Sequence, residues 1–150
     1  MRKVHVEIAE AFKAGKPKAK TARNAETGAS GHIYTVEVTC EGLTRLLYWG
    51  REVASFDREA GTLKVSSGGY LPHVHQARYG RQARSANMDG SPTTKALLNA
   101  VLCELGIPWR INATACAWQA RNYRTGQTIG EWARTGLWFN VDAGTARKAS

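Results

Sequence analysis

The chain is expected to fold as an α+β domain: an antiparallel β-meander packed by an amphipathic helix in the C-terminal half, with a short N-terminal helix. Three observations carry this. Four short runs of strand-forming residues lie between positions 33 and 66, separated by turn residues. An apolar stripe of Leu97, Leu98, Val101, Leu102 and Leu105 follows a Ser-Pro start and ends at Gly106. The 150 residues are 43% hydrophobic, enough to fill one core, so a single domain over 1–150 is expected.

The elements follow in order. In residues 4–14, Val4, Ile8, Ala11 and Phe12 share one helical face; Gly15 and Pro17 end the helix. Residues 16–31 are rich in Lys, Ala, Gly, Ser and Thr without an apolar period, which predicts a mobile basic linker. The core is placed at 33–123. Strands are expected at 33–40, 43–49, 52–56 and 62–66. Glu41-Gly42, Gly50-Arg51 and Glu59-Ala60-Gly61 supply the turns, with Gly first in the second hairpin. Residues 67–91 hold four glycines and no long apolar run, and read as a long loop. Ser91 caps the next helix and Pro92 opens it. One or two strands are expected within 109–123, a short apolar segment at 138–141, and a frayed basic tail at 142–150.

Charge narrows the partners. Lys and Arg number 21 against 12 Asp and Glu, a formal net charge of +9. Such a balance favours anionic partners. Residues 1–24 hold seven basic and two acidic groups, and Arg78, Arg81 and Arg84 recur every third residue without an acid before Asp89. No run approaches the roughly 18 apolar residues of a membrane span, and a secretion signal is not expected after Met1-Arg2-Lys3. Cys40, Cys103 and Cys116 have no CxxC spacing, which excludes a zinc ribbon; apolar neighbours predict buried thiols in a reducing cytoplasm.

Two clusters are candidate nucleic-acid contacts. Lys16, Lys18, Lys20 and Arg23 supply diffuse attraction from the linker. Arg78, Arg81 and Arg84, with Tyr79 between them, would share one face of a helical turn. Arginine's planar fork suits phosphate. The bland reading of both clusters is a solvated basic surface. His73 and His75 have a spacing that a strand could turn to metal binding, but lack nearby partner ligands and read as loop histidines. Tyr48, Trp49, Tyr70, Tyr79, Trp109, Trp118 and Tyr123 fill the core or, among basic residues, stack bases. Tyr48 and Trp49 are adjacent, so alternation sends them to opposite faces.

The order of pieces resembles a group of small accessory proteins of tailed bacteriophages. The pieces are a helix at 7–15, a strand-turn-strand TRLLYWGREVAS at 44–55, Gly68-Gly69-Tyr70, and a Thr-Thr-Lys helix at 93–99 containing Leu98-Asn99. An aromatic strand at 117–123 also fits, so the resemblance covers about 4–123. It implies no catalytic residues. This chain departs from the pattern by inserting 71–90, which carries the three arginines.

No GxSxG, HExxH or Walker loop is present, so no enzyme activity, cofactor or metal is expected. The expected function is that of a non-enzymatic phage-type accessory protein binding DNA or RNA through basic residues. Its place would be the cytoplasm of the bacterial host, away from membranes. The alternative partner is a host protein, the chain then acting as an inhibitor of a host enzyme or defence system. The sequence leaves the oligomeric state open.

Overall fold

The computed structural model describes residues 2–23, 30–68, 90–114 and 117–149, with backbone alone at 21–23 and 30–32. Helix α1 spans Lys3–Ala14. Its C-terminus is a Schellman motif: Gly15 N–H donates to the Phe12 carbonyl and Lys16 N–H to the Ala11 carbonyl, with Gly15 at φ 68°. Arg58 donates to the carbonyls of Phe12 and Lys13, so the last turn is satisfied from the meander. The buried face is His5, Ile8, Ala9 and Phe12, rotated slightly from the expected one; Val4 and Ala11 are half-buried at its margin.

The meander is present. Strands β1 Lys18–Arg23, β2 Ser30–Val38, β3 Leu43–Tyr48, β4 Arg51–Asp57 and β5 Thr62–Val65 pair antiparallel in sequence. Helix α2 spans Pro92–Glu104. Strands β6 Trp109–Thr114, β7 Ala117–Asn122 and β8 Thr128–Gly130 form a separate three-stranded sheet. β9 Leu137–Asn140 and β10 Thr145–Lys148 return to the first sheet, completing the order β1-β2-β3-β4-β5-β9-β10. Together these give the α+β class.

Two expected flexible segments are strands. Residues 18–23 of the expected linker form β1 on the free edge of β2, and 145–148 of the expected tail form β10 beside β9. Both are edge strands carrying Lys or Arg. Such a strand needs backbone pairing and no apolar face, and its charges block edge-to-edge association. Hydrophobic patterning therefore could not announce them.

The turn between β3 and β4 also differs from expectation. Tyr48 pairs with Arg51, which makes Trp49 and Gly50 the central residues. Both have positive φ, 52° and 77°, the left-handed pair that a type I′ hairpin requires. Trp49 tolerates this at a cost of about 1 kcal/mol and lies 46% exposed.

The core lies on one face of the large sheet. Val36, Leu46, Ala54, Val65 and Leu137 stand in register across β2, β3, β4, β5 and β9, all buried. α1 covers β2 and β3; α2 lies against α1, β4 and β6. The apolar stripe of α2 is buried from Leu97 to Leu102, because these neighbours enclose it on several sides. Ser91 caps α2 as expected, its Oγ accepting from Thr94 N–H at 3.0 Å. The small sheet is fastened by indoles: Trp109 Nε1–H donates to the Gly144 carbonyl at 2.8 Å, and Trp118 packs against Trp132.

Candidate nucleic-acid interface

Alternation sends every second residue of the large sheet to the face opposite the core. One row there runs in register through Glu37, Arg45, Ser55, Lys64, Trp138 and Arg147, on β2, β3, β4, β5, β9 and β10. Its charge changes along its length. At the β2–β3 end, Arg45 donates Nε–H to Glu52 at 2.6 Å and reaches Glu37 at 3.3 Å. The two carboxylates, Glu52 foremost, raise the Arg45 pKa. At the other end Lys64 and Arg147 have no carboxylate partner among the described residues; instead both flank the Trp138 indole. Lys64 Nζ lies 5.4 Å and Arg147 Cζ 5.9 Å from the indole ring.

The Lys64 stem lies against Gly136, where a Cβ would stand 2.7 Å from Lys64 Cε. Beside Trp138 a cleft of about 200 Å³ is lined by Thr62, Asn140, Thr145, Arg147 and Ala146. A second groove of about 130 Å³ on this face is lined by Ser55, Lys64, Ser66 and Arg134, with Glu52 at its rim.

The small sheet carries a second basic cluster. Arg110 of β6 stands directly opposite Arg121 of β7. Neither forms an ion pair among the described residues. The Arg110 guanidinium donates to the carbonyls of Ile107 and Trp109 and lies 5.2 Å from the Tyr123 ring. Arg121, Tyr123 and Arg124 are exposed, Tyr123 to 55%. Like charges placed directly opposite destabilise a ladder, so this pair adds positive potential at some expense of stability.

The linker lysines fall differently. Lys18 and Lys20 pair with Val36 and Tyr34, on the side of the sheet that α1 covers. Lys20 Nζ is 3.1 Å from Glu7, whose pKa is lowered by the hydrogen bond and charge of Lys20. Lys16 and Lys18 share a groove with Glu7 and Glu10. Acidic groups thus accompany these cations. The Arg23 backbone belongs to β1. Arg78, Tyr79, Arg81 and Arg84, like Tyr70, His73, His75 and Cys116, lie outside the described residues.

The aromatics divide as well. Trp109 and Trp118 are core residues, as is Trp132, which the sequence reading did not single out. Trp138 is the one it missed as a surface group. Its place in the alternating run LWFN, between buried Leu137 and Phe139, is the signal that could have found it. Of its cationic neighbours, Lys64 comes from a strand far away in sequence, and Arg147 from the next strand, which patterning did not announce. Cys40 and Cys103 are exposed, against the expectation of buried thiols. Cys103 sits on the solvent side of α2, because apolar sequence neighbours on a helix do not share its face.

Among the described residues, no three His, Cys, Asp or Glu side chains converge on a metal-sized site. No described helix is long and apolar enough to cross a membrane. Comparison with protein-family models, curated protein sequences and solved structures returns no match.

Proposed function

We propose that this chain is a non-enzymatic, phage-type accessory protein that binds nucleic acid through its basic residues. The phage-type part rests on the residue pattern at 7–15, 44–55 and 93–99. The observation that carries the binding part is the opposition of Arg110 and Arg121, with Arg124 and Tyr123 beside them. A polyanion laid over this cluster removes the repulsion between the two guanidinium groups and offers each a phosphate fork. Lys16, Lys18 and Arg23 add diffuse attraction. Arg78, Arg81 and Arg84 enter from the sequence alone.

The test is fluorescence anisotropy with labelled single-stranded DNA, duplex DNA and RNA across a salt series. Binding should weaken steeply with salt as counterions are released. The double variant Arg110→Gln/Arg121→Gln should bind more weakly and lower the log–log salt slope by about one unit per lost contact. The triple alanine variant of Arg78, Arg81 and Arg84 is measured alongside. Absence of binding at low salt overturns the reading; an unaltered slope in the double variant removes Arg110 and Arg121 from it.

A further inference from the structure

The group around Trp138, on the large sheet, differs in chemistry from the Arg110 and Arg121 cluster of the small sheet. It has an aromatic ring beside a cleft, hydrogen-bonding side chains along that cleft, and cations at its edge. The cleft beside Trp138 measures about 200 Å³, the scale of one planar heterocycle. Thr62, Asn140 and Thr145 stand in register across β5, β9 and β10, so their polar groups form one wall. Asn140 Oδ1 accepts from Ala143 N–H at 2.9 Å, which orients the amide and leaves its NH2 group for a ligand. The residues lining the cleft include no carboxylate. Asp57, opposite Thr62, has its Oδ1 engaged with Ala60 N–H at 3.0 Å.

Among the described residues the charged ends of Lys64 and Arg147 are drawn to the indole and to no carboxylate, the Lys64 stem resting on Gly136. That attraction is weaker than the stacking of a base on an aromatic side chain. A base that stacks on Trp138 therefore displaces a cation from the ring, and the displaced cation is already beside the strand's phosphates. The other exposed aromatics among the described residues lack this set. The cation on Tyr123, Arg110, is anchored on the Ile107 and Trp109 carbonyls, and Trp49 sits at a hairpin tip with its neighbour Tyr48 edge-on at 6.5 Å.

We propose that the cleft formed by Trp138, Thr62, Asn140 and Thr145 receives one unpaired base of a single-stranded nucleic acid, with Lys64 and Arg147 on the flanking phosphates. This rests on the nucleic-acid reading above and names its polymer. Duplex DNA keeps its bases stacked inside and cannot enter the cleft, whereas a single strand offers a base face at every step.

The experiment compares three labelled 15-mers on the full chain: oligo-dT, the same length as an abasic strand with all phosphates retained, and a duplex. Oligo-dT should bind about tenfold more tightly than the abasic strand, the usual scale of one base stacked on an aromatic residue. Trp138→Leu should erase that ratio, bringing oligo-dT down to the affinity of the abasic strand. Trp138 is half-exposed, and an unchanged thermal melt certifies the variant. Lys64→Gln/Arg147→Gln, which leaves the indole in place, should weaken all strands and preserve the ratio. Equal binding of oligo-dT and the abasic strand overturns the cleft while the nucleic-acid reading stands. A ratio that survives Trp138→Leu also overturns it. No binding of any polymer overturns both.

Discussion

Asn99 of α2 holds the backbone of Ile111 with both ends of its side-chain amide. Nδ2–H donates to the Ile111 carbonyl at 2.9 Å, and Oδ1 accepts from Ile111 N–H at 2.8 Å. β6 is the edge of the small sheet, so these two backbone groups face away from β7 and have no strand to pair with. The helix thus supplies what a further strand would have supplied. Asn99→Ala leaves both groups without their partner beside a buried residue. It should lower stability by about 2 kcal/mol, a fall in Tm of about 4–8 °C for a chain of this size. A melt within 1 °C of the parent would show that water replaces the amide fully.

His5 is fully buried on α1, its Nε2 3.0 Å from the Tyr34 hydroxyl and its Nδ1 without a partner. Burial foremost, then the positive charges of Arg2 and the N-terminus, hold its pKa below the ordinary 6.5. Between that lowered value and 6.5 the unfolded chain binds the proton and the fold does not. Stability therefore rises with pH through this window, is complete above about 6.5, and is lost as pH falls. The urea midpoint should drop between pH 7.5 and pH 5.5, and His5→Leu should reduce the drop. Equal drops in both proteins would clear His5 of the effect. The Glu7 contribution, with a lowered pKa, is present above 4.5 and fades only below it.

Thr44 lies on the core face of β3, opposite Phe56 and Val38. Its hydroxyl is buried without a hydrogen-bond partner. Thr44→Val replaces that orphan with a methyl of similar size and should raise stability by about 1 kcal/mol, or Tm by about 2–4 °C. Destabilisation on chemical denaturation would mean that the hydroxyl has found a partner after all.

Cys40 and Cys103 are exposed. Both should react with a thiol reagent in the native protein, without denaturant. Cys40→Ser and Cys103→Ser should each remove one rapidly reacting group. Reaction that begins only on unfolding would place these thiols in the interior.

Much of the fold was legible in the chain itself. Residues 33–66 alternate strand-forming side chains between turn residues, and the meander appears there with boundaries shifted by a few positions. The Ser91-Pro92 start and the stripe through Leu102 marked α2, since capping and helical period are local properties. Local order also explains what stayed hidden. β1 and β10 are paired to a neighbour through their backbones and carry no run of large apolar residues, Ala146 of β10 being half-buried against the core, so a lysine-rich strand and a lysine-rich linker read alike. The turn at Trp49-Gly50 followed from the Tyr48–Arg51 register, which a bulge between Leu46 and Leu47 sets.

Residue type and spacing alone determined the α+β class, the basic balance and the capping of α2. Only the tertiary structure decided which charges are compensated: Lys20 meets Glu7 and Arg45 meets Glu37 and Glu52, while Lys64 and Arg147 meet across Trp138. The reason is register. Lys64, Trp138 and Arg147 become neighbours only when β9 inserts between β5 and β10, and a charge's environment depends on distances that no local window of sequence contains.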